Sequence, residues 1–201
     1  MKVERVSYDV MTPSAARGIL DAILWKPAIR WTVEQIDVLA PIRWESVRRN
    51  EVGCVMSHRA NGIFVEEERQ QRAGLFLRDV AYTVHARFEL TDKAGEEDTV
   101  IKFAEMFERR ASKGQVFHRP YFGCREFAAD FLPVHSAALP EPIAESRDLG
   151  YMLLDIIHDH NSGENFNPHH CGAKCRPKFF RANLDLGRMR VPPLYEREVR
   201  S

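Results

Sequence analysis

Asp79-Val80-Ala81-Tyr82-Thr83-Val84-His85-Ala86-Arg87-Phe88-Glu89-Leu90 alternates apolar and polar side chains. Val80, Tyr82, Val84, Ala86, Phe88 and Leu90 face one way; Asp79, Thr83, His85, Arg87 and Glu89 face the other. A period of two describes a strand with one buried and one wet face. Upstream, Ile29, Trp31 and Val33 alternate, and so do Ile36 and Val38. The extra polar residue at Glu34-Gln35 shifts the phase between them, as a β-bulge does. A helix precedes this strand. Thr12 can cap it, Pro13 suits its first position, Ala16, Ile19, Leu20 and Ile23 repeat at helical spacing, and Lys26-Pro27 stops it. A second helix follows residue 90, with Val100, Phe103, Ala104, Phe107 and Ala111 on one stripe and Gly114 as its stop.

The remaining segments are weaker. Pro41 interrupts the first strand, and residues 42–47 read as its continuation. Residues 53–75 are polar and glycine-punctuated, a long loop or an inserted hairpin. An extended segment runs from Val116-Phe117 to Phe127. Residues 133–142 are rich in Pro and Ala, a linker. Residues 151–157 read as a strand, and 179–184 with 188–191 as a hairpin about Asp185-Leu186-Gly187. The order is helix, strand, strand, helix, strand, then a small all-β tail. One strand in front would make it βαββαβ, the ferredoxin-like pattern. The expected fold is α+β: a ferredoxin-like domain over residues 1–132, then a linker and small C-terminal antiparallel sheet over 133–201.

Composition narrows the class. The 201 residues are 44% hydrophobic and 29% charged, which excludes wholesale disorder, a coiled-coil rod and a collagen repeat. No apolar run approaches the ~20 residues of a membrane helix, and Met1-Lys2-Val3-Glu4-Arg5 lacks a signal peptide's apolar core. Four irregularly spaced Cys do not form a disulfide framework. A soluble protein of the reducing cytoplasm is expected. Lys+Arg and Asp+Glu are both 29, so any polyanion site needs its cations gathered on one face. Acid runs such as Glu66-Glu67-Glu68 and Glu96-Glu97-Asp98 read as solvated surface.

The ordered motifs Val3-Glu4-Arg5-Val6-Ser7-Tyr8, Thr12-Pro13-Ser14-Ala15-Ala16-Arg17-Gly18-Ile19-Leu20, Trp25-Lys26-Pro27-Ala28-Ile29, Arg48-Arg49-Asn50-Glu51-Val52 and Leu77-Arg78-Asp79-Val80 form one signature. Phe117-His118-Arg119-Pro120-Tyr121 and Gly123-Cys124-Arg125-Glu126-Phe127 complete it. Together they resemble the fifth CRISPR-associated family, a RAMP-type group, in its subtype I-C (Dvulg) branch. The resemblance runs from about residue 1 to 131 and returns at 179–192. It implies a metal-independent endoribonuclease without cofactor. Such a protein cuts precursor CRISPR RNA at the repeat stem-loop and stays on the 5′ handle with other subunits of a surveillance complex; duplex DNA is a further candidate partner. The family also carries a strand ahead of the segment matching Met1, and its absence from this sequence is expected to leave sheet edges uncovered and stability low.

Cleavage by the 2′-OH needs a base, a cation beside the phosphate and an acid for the leaving oxygen. The resemblance assigns a Tyr, a Lys and a His to these jobs. The Lys matches Lys102, but the Tyr position is Leu24 and the His position Phe103, and neither can transfer a proton. His118, flanked by cations, and Tyr121 are the substitutes. Arg48, Arg49, Arg109, Arg110, Lys113, Arg119 and Arg125 are the candidate RNA contacts, because guanidinium forks match phosphate oxygens. Phe117, Tyr121 and Phe122 offer stacking surfaces. A non-catalytic handle-binding subunit is the rival function. His158-Asp159-His160, His169-His170-Cys171 and Cys175 contain zinc-type ligands, the sole support for a zinc-stabilised enzyme of small molecules. Their spacing fits no zinc motif, and no metal site is assigned.

Overall fold

The computed structural model describes residues 5–57, 62–134, 139–158 and 175–194. Its elements in chain order are β1 (Arg5–Val6), α1 (Pro13–Ile23), β2 (Ile29–Val38), β3 (Trp44–Val52), β4 (Arg69–Leu77), β5 (Tyr82–Leu90), α2 (Val100–Ser112), β6 (Arg147–His158), β7 (Cys175–Asp185) and β8 (Arg188–Arg190). The chain divides into two compact units: residues 1–10 with 41–80, and residues 11–40 with 81–201. The 132/133 boundary coincides with neither division.

The first unit is a three-stranded sheet in the order β1-β4-β3. The region after Pro41 is therefore not a continuation of β2. β3 and β4 are an antiparallel hairpin with Arg49 opposite Arg72, and β1 adds to β4 in parallel. The inserted-hairpin alternative for 53–75 matches the second strand of this pair, although its first strand begins at Trp44. β3 is mostly exposed on both faces, so alternation is weak and its register was hard to see in the sequence.

The second unit is a five-stranded sheet in the order β5-β2-β8-β7-β6. The expected independent C-terminal sheet is absent, because β8 hydrogen-bonds both β7 and β2 and so joins the tail strands to the central pair. Sequence periodicity specifies a strand but not its lateral neighbour. The β7–β8 turn places Leu186 and Gly187 at φ +45° and +74°. A Cβ on Gly187 would lie 2.3 Å from the Ile143 carbonyl oxygen, so glycine is required twice over.

The bulge falls where the phase shift places it, between Val33 and Gln35. It keeps Trp31 and Val33 on the same side as Ile36 and Val38, all buried. Both helices start at threonine caps: Thr12 accepts from the Ala15 N–H and Thr99 from the Lys102 N–H, each at 3.2 Å. Leu24, Ala28, Ile29, Trp31 and Phe103 form a buried cluster completed by Leu20, Ala86, Phe88, Met106 and Phe107. Trp31 lies 5.1 Å from the Phe88 ring and 4.8 Å from the Phe107 ring, and its indole N–H donates to the Leu24 carbonyl at 2.9 Å. Both helices thus cover the same side of β2 and β5. Each large side chain buried there contributes about 1.5–3 kcal/mol. Arg17 of α1 adds a bidentate pair to Asp155 of β6 at 2.8 and 2.9 Å.

Candidate functional site

Residues 116–129 do not form the expected strand. They fold as a loop closed by one bridge between Tyr121 and Ala128 and by the Phe122 and Ala129 N–H groups donating to Phe127 and Pro120. Its start is pinned to the end of α1, where the Phe117 N–H donates to the Ala22 carbonyl at 2.8 Å. Its middle is held by Phe122 against Tyr82, with ring centroids 6.1 Å apart. These ties leave His118, Arg119 and Arg125 exposed. The His118 ring stacks on Tyr121 at 5.8 Å, with its Nδ1 3.2 Å from the Arg119 carbonyl. Among the described residues Arg119 makes a long, exposed pair to Asp130 at 3.6 Å, so its guanidinium retains donors for another anion. His118 also lies near enough to influence Asp21 of α1. Burial raises the Asp21 pKa, while Arg17 and, more weakly, His118 oppose that shift.

The last turn of α2 approaches the same end of α1. Arg110 donates to the Ile23 carbonyl at 2.8 Å, which satisfies a helix-terminal acceptor and ties the two helices together. Its side chain is thereby held in a structural contact. Arg109 and Lys113 are exposed beside it. Arg109 and Lys113 are thus exposed at the end of α2, and His118, Arg119 and Arg125 on the loop that follows it.

Lys102 is elsewhere. It sits in the first turn of α2, its Nζ 2.9 Å from Asp98 Oδ1 and 5.8 Å from the Phe103 ring centre. That hydrogen bond, with the Gly95 N–H, holds the Asp98 carboxyl below its ordinary pKa. Asp98 is thus an ion-pair partner as well as a member of a solvated acid run. From Lys102 to Lys113 the helix rises about 16 Å at 1.5 Å per residue. The lysine therefore lies at the opposite end of α2 from Lys113. Leu24 and Phe103 are 0% and 3% exposed, members of the core rather than of any surface.

Arg48 and Arg49 lie in the first unit, where successive strand residues point to opposite faces. Arg48 is exposed; Arg49 lies 5.6 Å from the Phe76 ring, on the face that carries Glu51 with its partners Arg5 and Arg72. The candidate zinc ligands from Asp159 to Cys171 lie outside the described residues, as do the side chains of His158 and Cys175.

One constellation escaped sequence reasoning. Asp37, 6% exposed, accepts from Gln35 Nε2 at 2.7 Å and lies 2.9 Å from His85 Nε2. The alternation of β5 does place His85 on the polar side. Asp37 becomes its neighbour only after the bulge resets the phase of β2 and the register sets Gln35 opposite His85.

The fold is α+β, with exposed arginines and lysines on α2 and on the loop that follows it. Residues 1–192 match the family model described as CRISPR-associated protein Cas5, in its Cas5d form, and the chain belongs to that family. A relative from Mannheimia succiniciproducens, named CRISPR pre-crRNA endoribonuclease Cas5d, is 46% identical over 218 residues, covering 100% of this chain and 91% of its own. One of the same name from Thermus thermophilus is 44% identical over 197 residues, covering 95% and 83%. A crystal structure of a CRISPR-associated protein superimposes with a TM-score of 0.68 at 20% identity, over 98% of this chain and 88% of the other. The functionally uncharacterized protein SMU1763c from Streptococcus mutans superimposes with a TM-score of 0.61 at 19% identity, over 97% and 87%. Both structures support the fold alone.

Proposed function

We propose that this protein is a pre-crRNA endoribonuclease of CRISPR defence. The observation that carries this is identity of 44–46% over nearly the whole chain to two relatives named for that activity. The proposed cut lies at the repeat stem-loop, by attack of the 2′-OH on the adjacent phosphorus, without metal. The protein then remains on the 5′ handle among the other subunits of a surveillance complex in the cytoplasm. No described helix is long and apolar enough to cross a membrane. The unit α1-β2-β5-α2, with both helices on one side of an antiparallel pair, supports a ferredoxin-like core.

In this proposal Lys102 neutralises charge building on the phosphate. Its ammonium is exposed enough to exchange Asp98 for a phosphate oxygen. His118 supplies proton transfer, with Tyr121 stacked behind it. For Lys102 and His118 both to act, the RNA has to reach the first turn of α2 and the loop that follows the helix. Arg48, Arg49, Arg109, Lys113, Arg119 and Arg125 hold phosphates, while Arg110 acts through the α1–α2 tie. A second reading, a handle-binding subunit that does not cut, is favoured by the burial of Leu24 and Phe103.

The test is incubation with cognate repeat RNA in EDTA. A 2′,3′-cyclic phosphate product identifies the enzyme; tight binding without cleavage identifies the subunit. Lys102→Ala and His118→Ala measured separately show which of the two groups meets the scissile bond. Loss of the cation should slow cleavage about 10²–10³-fold.

A further inference from the structure

The side of the five-stranded sheet away from the helices carries a groove that the site above does not use. It has a volume of about 790 Å³ and is lined by Gln35, Arg181, Asn183, Asp185, Arg188 and Arg190, among others. Register explains the gathering. Gln35 lies opposite Arg190 and Asp37 opposite Arg188 across β2 and β8, while Asp148 lies opposite Asn183 and Tyr151 opposite Arg181 across β6 and β7. Met189, between the two β8 arginines, is fully buried on the helix side, which fixes both guanidinium stems on the open side.

Three arginines against one carboxylate line this groove in a chain of zero net charge. Arg181 is paired with Asp148. Arg188 and Arg190 are exposed, and neither makes an ion pair among the described residues. The nearby carboxylate of Asp37 is already engaged by Gln35 and His85, and Glu34 by Arg87 at 2.8 Å. Two same-face cations about 6.8 Å apart along a strand repel one another unless an anion lies between them. Tyr151, 45% exposed, gives the same side an aromatic surface. Guanidinium pairs, polar amides and an exposed ring on an open sheet suit an unpaired polynucleotide, whose phosphates and bases are both available.

We propose that the groove centred on Arg188 and Arg190 binds the backbone of a single-stranded segment of RNA, on the sheet side opposite Lys102 and His118. This rests on the RNA-processing function proposed above and adds to it a second contact surface.

The experiment measures binding of labelled repeat RNA, of a stemless single-stranded RNA and of duplex DNA against salt, with cleavage followed in parallel. For the stemless RNA, Arg188→Ala/Arg190→Ala should weaken binding and reduce the log–log salt slope by about 1.4, at roughly 0.7 per phosphate contact. Arg188→Lys/Arg190→Lys should restore the slope, which separates charge from folding. Arg147→Ala is the control: Arg147 lies opposite buried Leu184, on the other side, and pairs with Glu145. An unchanged slope in the alanine variant, with wild-type protein binding and cutting repeat RNA, overturns the groove and leaves the processing function standing. A slope lost only for duplex DNA overturns the single-stranded assignment. Wild-type protein that neither binds nor cuts repeat RNA overturns both.

Discussion

Phe103 stands where the family resemblance places a histidine, so restoring that imidazole is an informative perturbation. The structure predicts that Phe103→His lowers stability and confers no activity. Phe103 is 3% exposed, packed with Leu24, Ala28, Ile29 and Trp31. Its burial contributes about 1.5–3 kcal/mol, of which an imidazole retains part. The new ring nitrogens enter a cluster in which the Trp31 indole N–H is already bonded to the Leu24 carbonyl. An unpaired buried polar group costs about 1–3 kcal/mol. The net loss is about 2–4 kcal/mol, or a fall in Tm of roughly 5–15 °C for a chain of this size. Phe103→Leu, which stays apolar, should cost about 1 kcal/mol. Urea and thermal unfolding of both variants, with repeat-RNA cleavage measured in parallel, provide the check. Unaltered stability, or faster cleavage by the histidine variant, would show that position 103 faces RNA and would refute its placement in the core.

Other predictions concern the supports of the site. Tyr82 is largely buried, which pushes its phenol up to about 12 despite the Met11 N–H bonded to it. Its folded pKa lies above the unfolded value, so the stabilisation is complete below about pH 10 and lost as pH rises through 12. That amounts to about 2–3 kcal/mol, and Tyr82→Phe should remove this alkaline slope from pH-dependent unfolding. Arg17→Ala leaves Asp21 and Asp155 without their shared partner and should cost about 1–3 kcal/mol, discounted for the third of its side chain that is exposed. A double-mutant cycle with Asp155→Asn measures the coupling, and Arg17→Lys should fail to restore it because the bidentate fork is lost. Gly187→Ala places a methyl against the Ile143 carbonyl at positive φ and should cost at least about 2 kcal/mol, seen as a lower Tm. A wild-type Tm in that variant would contradict the turn geometry.

The sequence alone determined the elements with a strong local pattern, although Thr83, on the polar side of β5, is the most buried residue of that strand. The alternation of β5, the bulge in β2 and the two capped helices are all legible, because a residue's face follows from its phase against the core. Leu24 and Phe103 could be recognised as unable to transfer protons, and Phe103 as a member of the apolar stripe of α2, but Leu24 not as a core residue. Apart from the β7–β8 hairpin, which its turn residues announce, tertiary structure decided which strands are neighbours. Nothing local in Arg188-Met189-Arg190 says that it pairs with β2 rather than ending a separate sheet, since backbone hydrogen bonding is indifferent to side-chain identity. The same holds for the cations. Arg109, Arg110 and Lys113 look alike in sequence. Only packing makes Arg110 a tie between helices and brings His85 to Asp37, because long-range contacts depend on register and layer order rather than on any residue's own propensity.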